Sequence, residues 1–385
     1  MSSGHGFETR AIHSGQAPDP SHGSVVPPIH LTSTFAQTRF EADGPHTYSR
    51  VSNPTRNALE ECLAALEGGT SCAAFASGMA ASQAIFQTLS PGDGVVAGSD
   101  LYGGTYRLLE QVYKRWGLEV RYAADNSAEA YAAALASLAR PRLVWLESPT
   151  NPLLFLTDIE AVCAVAKAKG CLVAVDNTFA SPYLQRPLEL GADLVMHSTT
   201  KYLGGHSDIV GGAVIARRPE DMELVRFQQK AAGAIPSPFE AWLLQRGVKT
   251  LAVRMERHCD NAEAFAEALR GMTGVAKVFY PGFADHPGHA IAARQMRRFG
   301  GMVAAELTGG VPAVRQLVEN VKFFSYGESL GGVESLLSHP ASMSHASLPR
   351  EERLARGIGD GLVRFSVGIE TVDDLIGDVR QALRS

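Results

Sequence analysis

Seven short β-rich runs recur between residues 71 and 216: "SCAAFAS", "GVVAGSD", "LEVRYA", "RLVWLES", "CLVAVDN", "DLVMHST" and "GGAVIA". Helix-period stretches lie between them: "GMAASQAIFQTL", "GTYRLLEQVYKRWG", "AEAYAAALASLA" and "DIEAVCAVAKAKG". Strands that are apolar throughout must be covered on both faces, and an intervening helix supplies the crossover that a parallel pair requires. The pattern predicts an α/β fold with a mostly parallel sheet. In such sheets ligands gather at the carboxyl ends of the strands, so the residues just past each run are the ones to inspect for chemistry.

Outside this stretch the rhythm differs. Residues 1–50 are rich in Pro, Ser, Thr and His, and "GSVVPPIHLTSTF" is too proline-broken for a helix. They read as an extended arm that needs something to pack on. Residues 51–245 form the large α/β unit. Residues 246–385 read as a smaller α+β domain, with "VAKVFY", "GMVAAEL", "LVRFSV" and a last amphipathic helix "TVDDLIGDVRQALR". A long helical stretch, "FEAWLLQRGVKTLAVRMERHCDNAEAFAEALRG", spans the join as one predicted bridge.

Bulk properties narrow the function classes. Thirty-five basic and 40 acidic residues leave a net charge of −5 with no block of one sign, so no electrostatic case exists for a nucleic-acid or anionic-membrane partner. "MSSGHGFETRAIHSGQ" lacks the apolar core of a signal peptide, and no stretch approaches the roughly 20 apolar residues that span a bilayer. Five cysteines are scattered without CxxC spacing, four of them inside apolar helix or strand patterns, where a buried thiol is expected. The chain reads as cytoplasmic and reduced.

Polar residues do cluster at the strand ends. Asp176 closes "CLVAVDN"; Glu147 closes "RLVWLES" and is followed by "PTNP" with Asn151. After "SCAAFA" the small-residue turn "SGMAA" runs straight into a helix, so the backbone N–H groups of Gly78 and Met79 could cradle a phosphate. In "HSTTKYLGGHSDIVGG", Ser198 and Thr200 flank Lys201. Singly, these are a strand–helix turn, polar strand ends and a loop lysine. Together they fit pyridoxal 5′-phosphate, which needs an imine-forming lysine, an acid against its ring nitrogen and donors around its phosphate.

Other motifs carry less. "DHPGH" lacks the helical spacing of a metal site, and no metal is expected. "GGTYRLL" and "GGHSD" lack the order of a nucleotide P-loop. Met255, Met296, Met302 and Met343 read as core or gap-filling residues. "SHPASMSHASLP", with Ser344, reads either as a loop near a substrate entrance or as turns satisfied by their own hydroxyls.

The motifs "YSRVSNPTR", "FASGMAA", "LYGGTYR", "ESPTNP", "VDNTFASPYLQRPLELGADLVMHS", "HSTTKYLGGHSDIVGG", "ESLGGVESL" and "LVRFSVGIE" together resemble the cystathionine γ-synthase/γ-lyase family. Those are trans-sulfuration enzymes with the aspartate-aminotransferase type of pyridoxal-phosphate fold (fold type I). The resemblance runs in order from about residue 7 to the last helix. It implies that Lys201 holds the cofactor covalently and shuttles protons, that Asp176 pairs with the ring nitrogen, and that Tyr102 stacks on the ring. By the same resemblance Gly78, Met79, Ser198 and Thr200 hold the phosphate, while Asn151, Glu147 and Thr178 surround the ring. Arg364 would clamp the α-carboxylate of an amino-acid substrate, with Ser329 beside it. Tyr48 and Arg50 would reach the phosphate of a neighbouring subunit, in a homotetramer built as a dimer of active dimers.

Within that family the reaction branches. Gly104 stands where methionine γ-lyases resemble one another in carrying cysteine. Glu328 resembles the acidic residue of cystathionine-handling members. Arg107 is shared by synthases and lyases. Thr47 and Val51 stand where synthases that use succinylated homoserine resemble one another in placing polar or charged residues, and Val51 cannot hold a succinyl carboxylate, whereas "VSNPT" resembles the methionine γ-lyase pattern. The balance favours cystathionine γ-lyase, with cystathionine γ-synthase and then methionine γ-lyase as alternatives.

Overall fold

All seven apolar runs become strands of one sheet: β1 (Ser71–Phe75), β2 (Gly94–Ala97), β3 (Glu119–Tyr122), β4 (Pro141–Glu147), β5 (Leu172–Asp176), β6 (Leu194–Ser198) and β7 (Gly212–Ala216). The computed structural model describes residues 4–41, 44–346 and 348–384. Residues 1–3 and 42–43 of the predicted arm, and 347 and 385 of the predicted carboxyl-terminal unit, lie outside the described residues. The strand order is β1-β7-β6-β5-β4-β2-β3. Strands β3, β2, β4, β5 and β6 run parallel, while β7 is antiparallel to both β6 and β1. A loop rather than a crossover helix joins β6 to β7, so β7 must fold straight back. That loop carries Lys201.

Period-2 alternation explains why each strand is apolar throughout. Val144, Leu146, Val173, Val175, Val195 and Ile215 enter the core on one face of the sheet. Leu143, Trp145, Ala174, Leu194 and Val214 enter the core on the other. Helix starts follow capping chemistry: Ser77, Ser127 and Asp158 each accept a backbone N–H of the helix they precede.

The second sheet holds β8 (Val275–Phe279), β9 (Met302–Leu307), β10 (Ser325–Tyr326), β11 (Leu336–Ser338) and β12 (Leu362–Ser366), in the order β10-β11-β12-β9-β8. Helices Leu251–Arg270 and Val372–Ala382 cover it through Phe265, Leu269, Leu375 and Val379. The predicted single bridge is in fact two helices, Pro238–Val248 and Leu251–Arg270. The break has a tertiary cause. Gly247 packs so tightly that a Cβ there would lie 2.3 Å from the Gly204 carbonyl oxygen. Arg254 then bridges the gap, its Nη1 donating to the Tyr202 carbonyl and its Nη2 to that of Gly247. All five cysteines are buried and unpaired.

Asn53 ties the arm to the large sheet's first helix, Pro54–Glu67. It is buried, accepts from the N–H groups of Thr55 and Arg56, and donates to the His30 carbonyl at 3.0 Å and to Ser49 Oγ at 3.1 Å. Asn53→Ala removes the cap and orphans the donors that it served. We expect a loss of about 2 kcal/mol, read as a lower urea midpoint of the holoenzyme; an unchanged midpoint would refute this account of the cap.

Candidate active site

The parallel register sets two carboxylates side by side. Glu147 ends β4 directly opposite Asp176, which ends β5. Thr178 donates to Asp176 Oδ1 twice, from N at 3.0 Å and from Oγ1 at 2.5 Å. Glu147 Oε2 accepts the Tyr102 N–H at 2.8 Å. Burial pushes both carboxyls up, and the charge of Asp176 pushes Glu147 further. The two Thr178 hydrogen bonds oppose the rise at Asp176.

Both groups face a cavity of about 330 Å³ that opens at the strand ends. Its floor includes Met196 and Thr178; its wall includes Gly78, Met79, Ser198 and Thr200; Tyr102 stands at its mouth. Lys201 enters from the β6–β7 loop, and its Nζ donates to Ser329 Oγ at 3.0 Å. Burial, reinforced by the Arg364 charge and opposed by that of Glu328, pushes the Lys201 amine down to about 8. Arg364 arrives from β12 of the second sheet, with Nη1 on Asn151 Oδ1 at 2.8 Å and Nη2 on the Ser329 carbonyl at 2.7 Å. Burial pushes that guanidinium down to about 10.

Thirteen of the residues singled out from sequence thus converge on one cavity, including Glu328 and Ser329. Tyr48, Arg50 and Arg107 do not line it. Arg50 is exposed and donates to the Lys230 carbonyl, with its guanidinium over the Tyr48 ring. Sequence reasoning passed over Ser77, Phe179, Val210, Leu330 and Ser338, which also line the cavity. Met343 corrects an expectation: it lines the cavity with Ser344 rather than filling core, whereas Met255, Met296 and Met302 are buried in the core as expected. No local pattern marks Met343, because the turn that carries it has no period.

The donors fit pyridoxal phosphate. At the start of helix Gly78–Phe86, Ser77 occupies the N–H groups of Ala80 and Ala81, and those of Gly78 and Met79 have no acceptor among the described residues. A Cβ at Gly78 would sit 2.8 Å from that of Ser198, so only glycine lets this helix start approach the end of β6. An anion cradle, a buried carboxylate and an amine that is easily deprotonated share one cavity. When bound, the cofactor supplies an electron sink that makes protons on substrate Cα and Cβ removable.

The model of the Cys/Met metabolism PLP-dependent enzyme family matches residues 8–384. The chain belongs to that family. It is 51% identical over 380 residues to the cystathionine gamma-synthase of Mycobacterium tuberculosis, covering 98% of this chain and 97% of that one. It is 48% identical over 382 residues to the cystathionine beta-lyase of Coxiella burnetii, with the same coverage. A crystal structure of cystathionine gamma-lyase from Lactobacillus plantarum complexed with L-serine superposes with a TM-score of 0.95 at 44% identity, over 99% of each chain. The chain is a pyridoxal-phosphate enzyme of cystathionine metabolism, of aspartate-aminotransferase-like fold.

Family membership makes the ionisation of Lys201 a measurable property. We propose that the cofactor attaches through Lys201; attachment requires the neutral amine, so its rate should rise with pH and level off above about 8. Glu328→Gln removes the charge that favours the ammonium, and the midpoint should move lower. Borohydride trapping at a series of pH values measures both; a wild-type midpoint near that of free lysine would refute the buried setting.

Proposed function

We propose that the chain cleaves L-cystathionine at its γ-carbon, releasing cysteine, 2-oxobutanoate and ammonia. One observation carries the reading. The Tyr102 phenol, pushed up first by burial, feels the negative charge of Glu328 and the opposing positive charge of Arg107. Glu328 lines the cavity with Tyr102, and Arg107, outside the lining, acts on the same phenol through its charge. The far end of cystathionine carries an ammonium and a carboxylate, and these two charges suit them.

The other roles follow from chemistry at each atom. Arg364, fixed by Asn151 and the Ser329 carbonyl, takes the near α-carboxylate. Lys201 Nζ, neutral near pH 8, removes the proton from Cα and then the one from Cβ. Asp176 partners the protonated ring nitrogen, while Glu147 and Thr178 hold the ring's surroundings and Tyr102 covers its face. Gly78, Met79, Ser198 and Thr200 hold the phosphate. Tyr48 and Arg50 serve the site of another copy, which accounts for their place outside this cavity. The arm's exposed Leu31 (71%) and Phe40 (91%) then pack on that copy, in a homotetramer. Among the described residues no helix is long and apolar enough to cross a membrane.

A second reading is γ-replacement, in which the cysteine thiol takes the place of the acyloxy group at Cγ of an acylated homoserine and the acid is released as its carboxylate. The Mycobacterium relative's name favours it.

Incubation with L-cystathionine alone separates the readings. We expect 2-oxobutanoate and cysteine, with Lys201→Ala slower by about a thousandfold or more yet still folded. Pyruvate and homocysteine would mark cleavage on the β side. Negligible turnover, with cystathionine formed from O-acetylhomoserine and cysteine, would replace the lyase reading by the synthase.

A further inference from the structure

Arg364 has a neighbour that the sequence does not mark. The antiparallel register of β11 on β12 sets Ser338 directly opposite Arg364. Opposed residues on such a pair project to the same face. Both residues line the cavity, and they are only 3% and 5% exposed.

Their hydrogen bonding is incomplete in a matched way. Arg364 commits Nη1 to Asn151 and Nη2 to the Ser329 carbonyl, but among the described residues Nε has no partner. The Ser338 hydroxyl has none either. Two buried donors left unsatisfied on adjacent strands are costly unless something accepts from both. A carboxylate is acceptor-only and has two oxygens, one for each donor.

We propose that the Ser338 hydroxyl joins Arg364 Nε in holding the substrate α-carboxylate, and so sets the affinity for amino acids. This rests on the site's taking amino acids, not on which bond it breaks.

Calorimetric titration of the holoenzyme with glycine tests the assignment. Ser338→Ala should weaken glycine binding about tenfold, and Ser338→Thr, which keeps the hydroxyl, should bind within about twofold of wild type. The affinity of the apoprotein for pyridoxal phosphate and the thermal midpoint should hold in both variants. Glycine binding unchanged in Ser338→Ala would overturn the proposal. So would a parallel loss of cofactor affinity, which marks a structural role. Should Ser338→Ala fail to accumulate, Ser338→Cys keeps the volume with a weaker donor and is read the same way. Glycine bound normally by wild-type enzyme that leaves cystathionine intact would sink the lyase reading while leaving this one standing.

Discussion

Two carboxylates at the same height on adjacent parallel strands organise this molecule. Glu147 and Asp176 are both buried, and two negative charges there would repel in a poorly screened interior. The protein resolves the conflict by treating them differently. Burial pushes both up and the charge of Asp176 pushes Glu147 further, while Asp176 receives two hydrogen bonds from Thr178 that favour its charged form. A charged carboxylate at the floor of a cavity suits a cationic ring nitrogen. Behind it, buried Glu67 pairs with His197 at 2.5 Å and accepts from Asn177, which Gln185 in turn holds. Polar groups beneath the strand ends are therefore fixed before any ligand arrives.

The rest of the site depends on how the chain leaves those strands. β6 returns through a loop instead of a helix, and that loop delivers Lys201 beside Asp176. The second sheet closes the cavity with Ser329 and Arg364. The Arg364–Asn151 hydrogen bond ties the two sheets at the cavity. Because the guanidinium is buried, loss of Asn151 would leave a desolvated cation short of an acceptor, so the link between sheets and the geometry of the site stand together.

Much of this was legible in the sequence for one physical reason. A strand buried on both faces must be apolar along its length, so the polar residue that ends it stands out, as Asp176 and Glu147 do, and so does Lys201 in the polar loop just past β6. Where that contrast is missing, legibility fails. β10 and β11 have two and three residues, too few to show a period, and Ser338 is hidden in the second of them. The break between Val248 and Leu251 is equally silent, because Gly247 and Arg254 answer to the distant backbone of residues 202–204. Met343 looked like core because a methionine on a turn has no local sign of facing a cavity.

The same logic bears on which reaction is catalysed. "VSNPT" resembles the methionine γ-lyase pattern, yet Asn53 in it is a buried helix cap and Thr55 a buried contact of the arm. Such residues report how a helix starts, and any family member that starts it there has reason to keep them. In the proposed reading the strand-end carboxylates and Lys201 serve proton removal whichever branch is followed, so they do not discriminate either. Gly104 is closer to the question: a Cβ there would sit 2.5 Å from the Tyr102 ring and 2.8 Å from Met79 Sδ, so any side chain at this position would move Tyr102. Discrimination is left to what surrounds Tyr102, where Glu328 and Arg107 oppose one another. On the proposed reading, a reaction that differs only in what departs from, or arrives at, the γ-carbon is chosen around Tyr102 and not by the strand-end carboxylates.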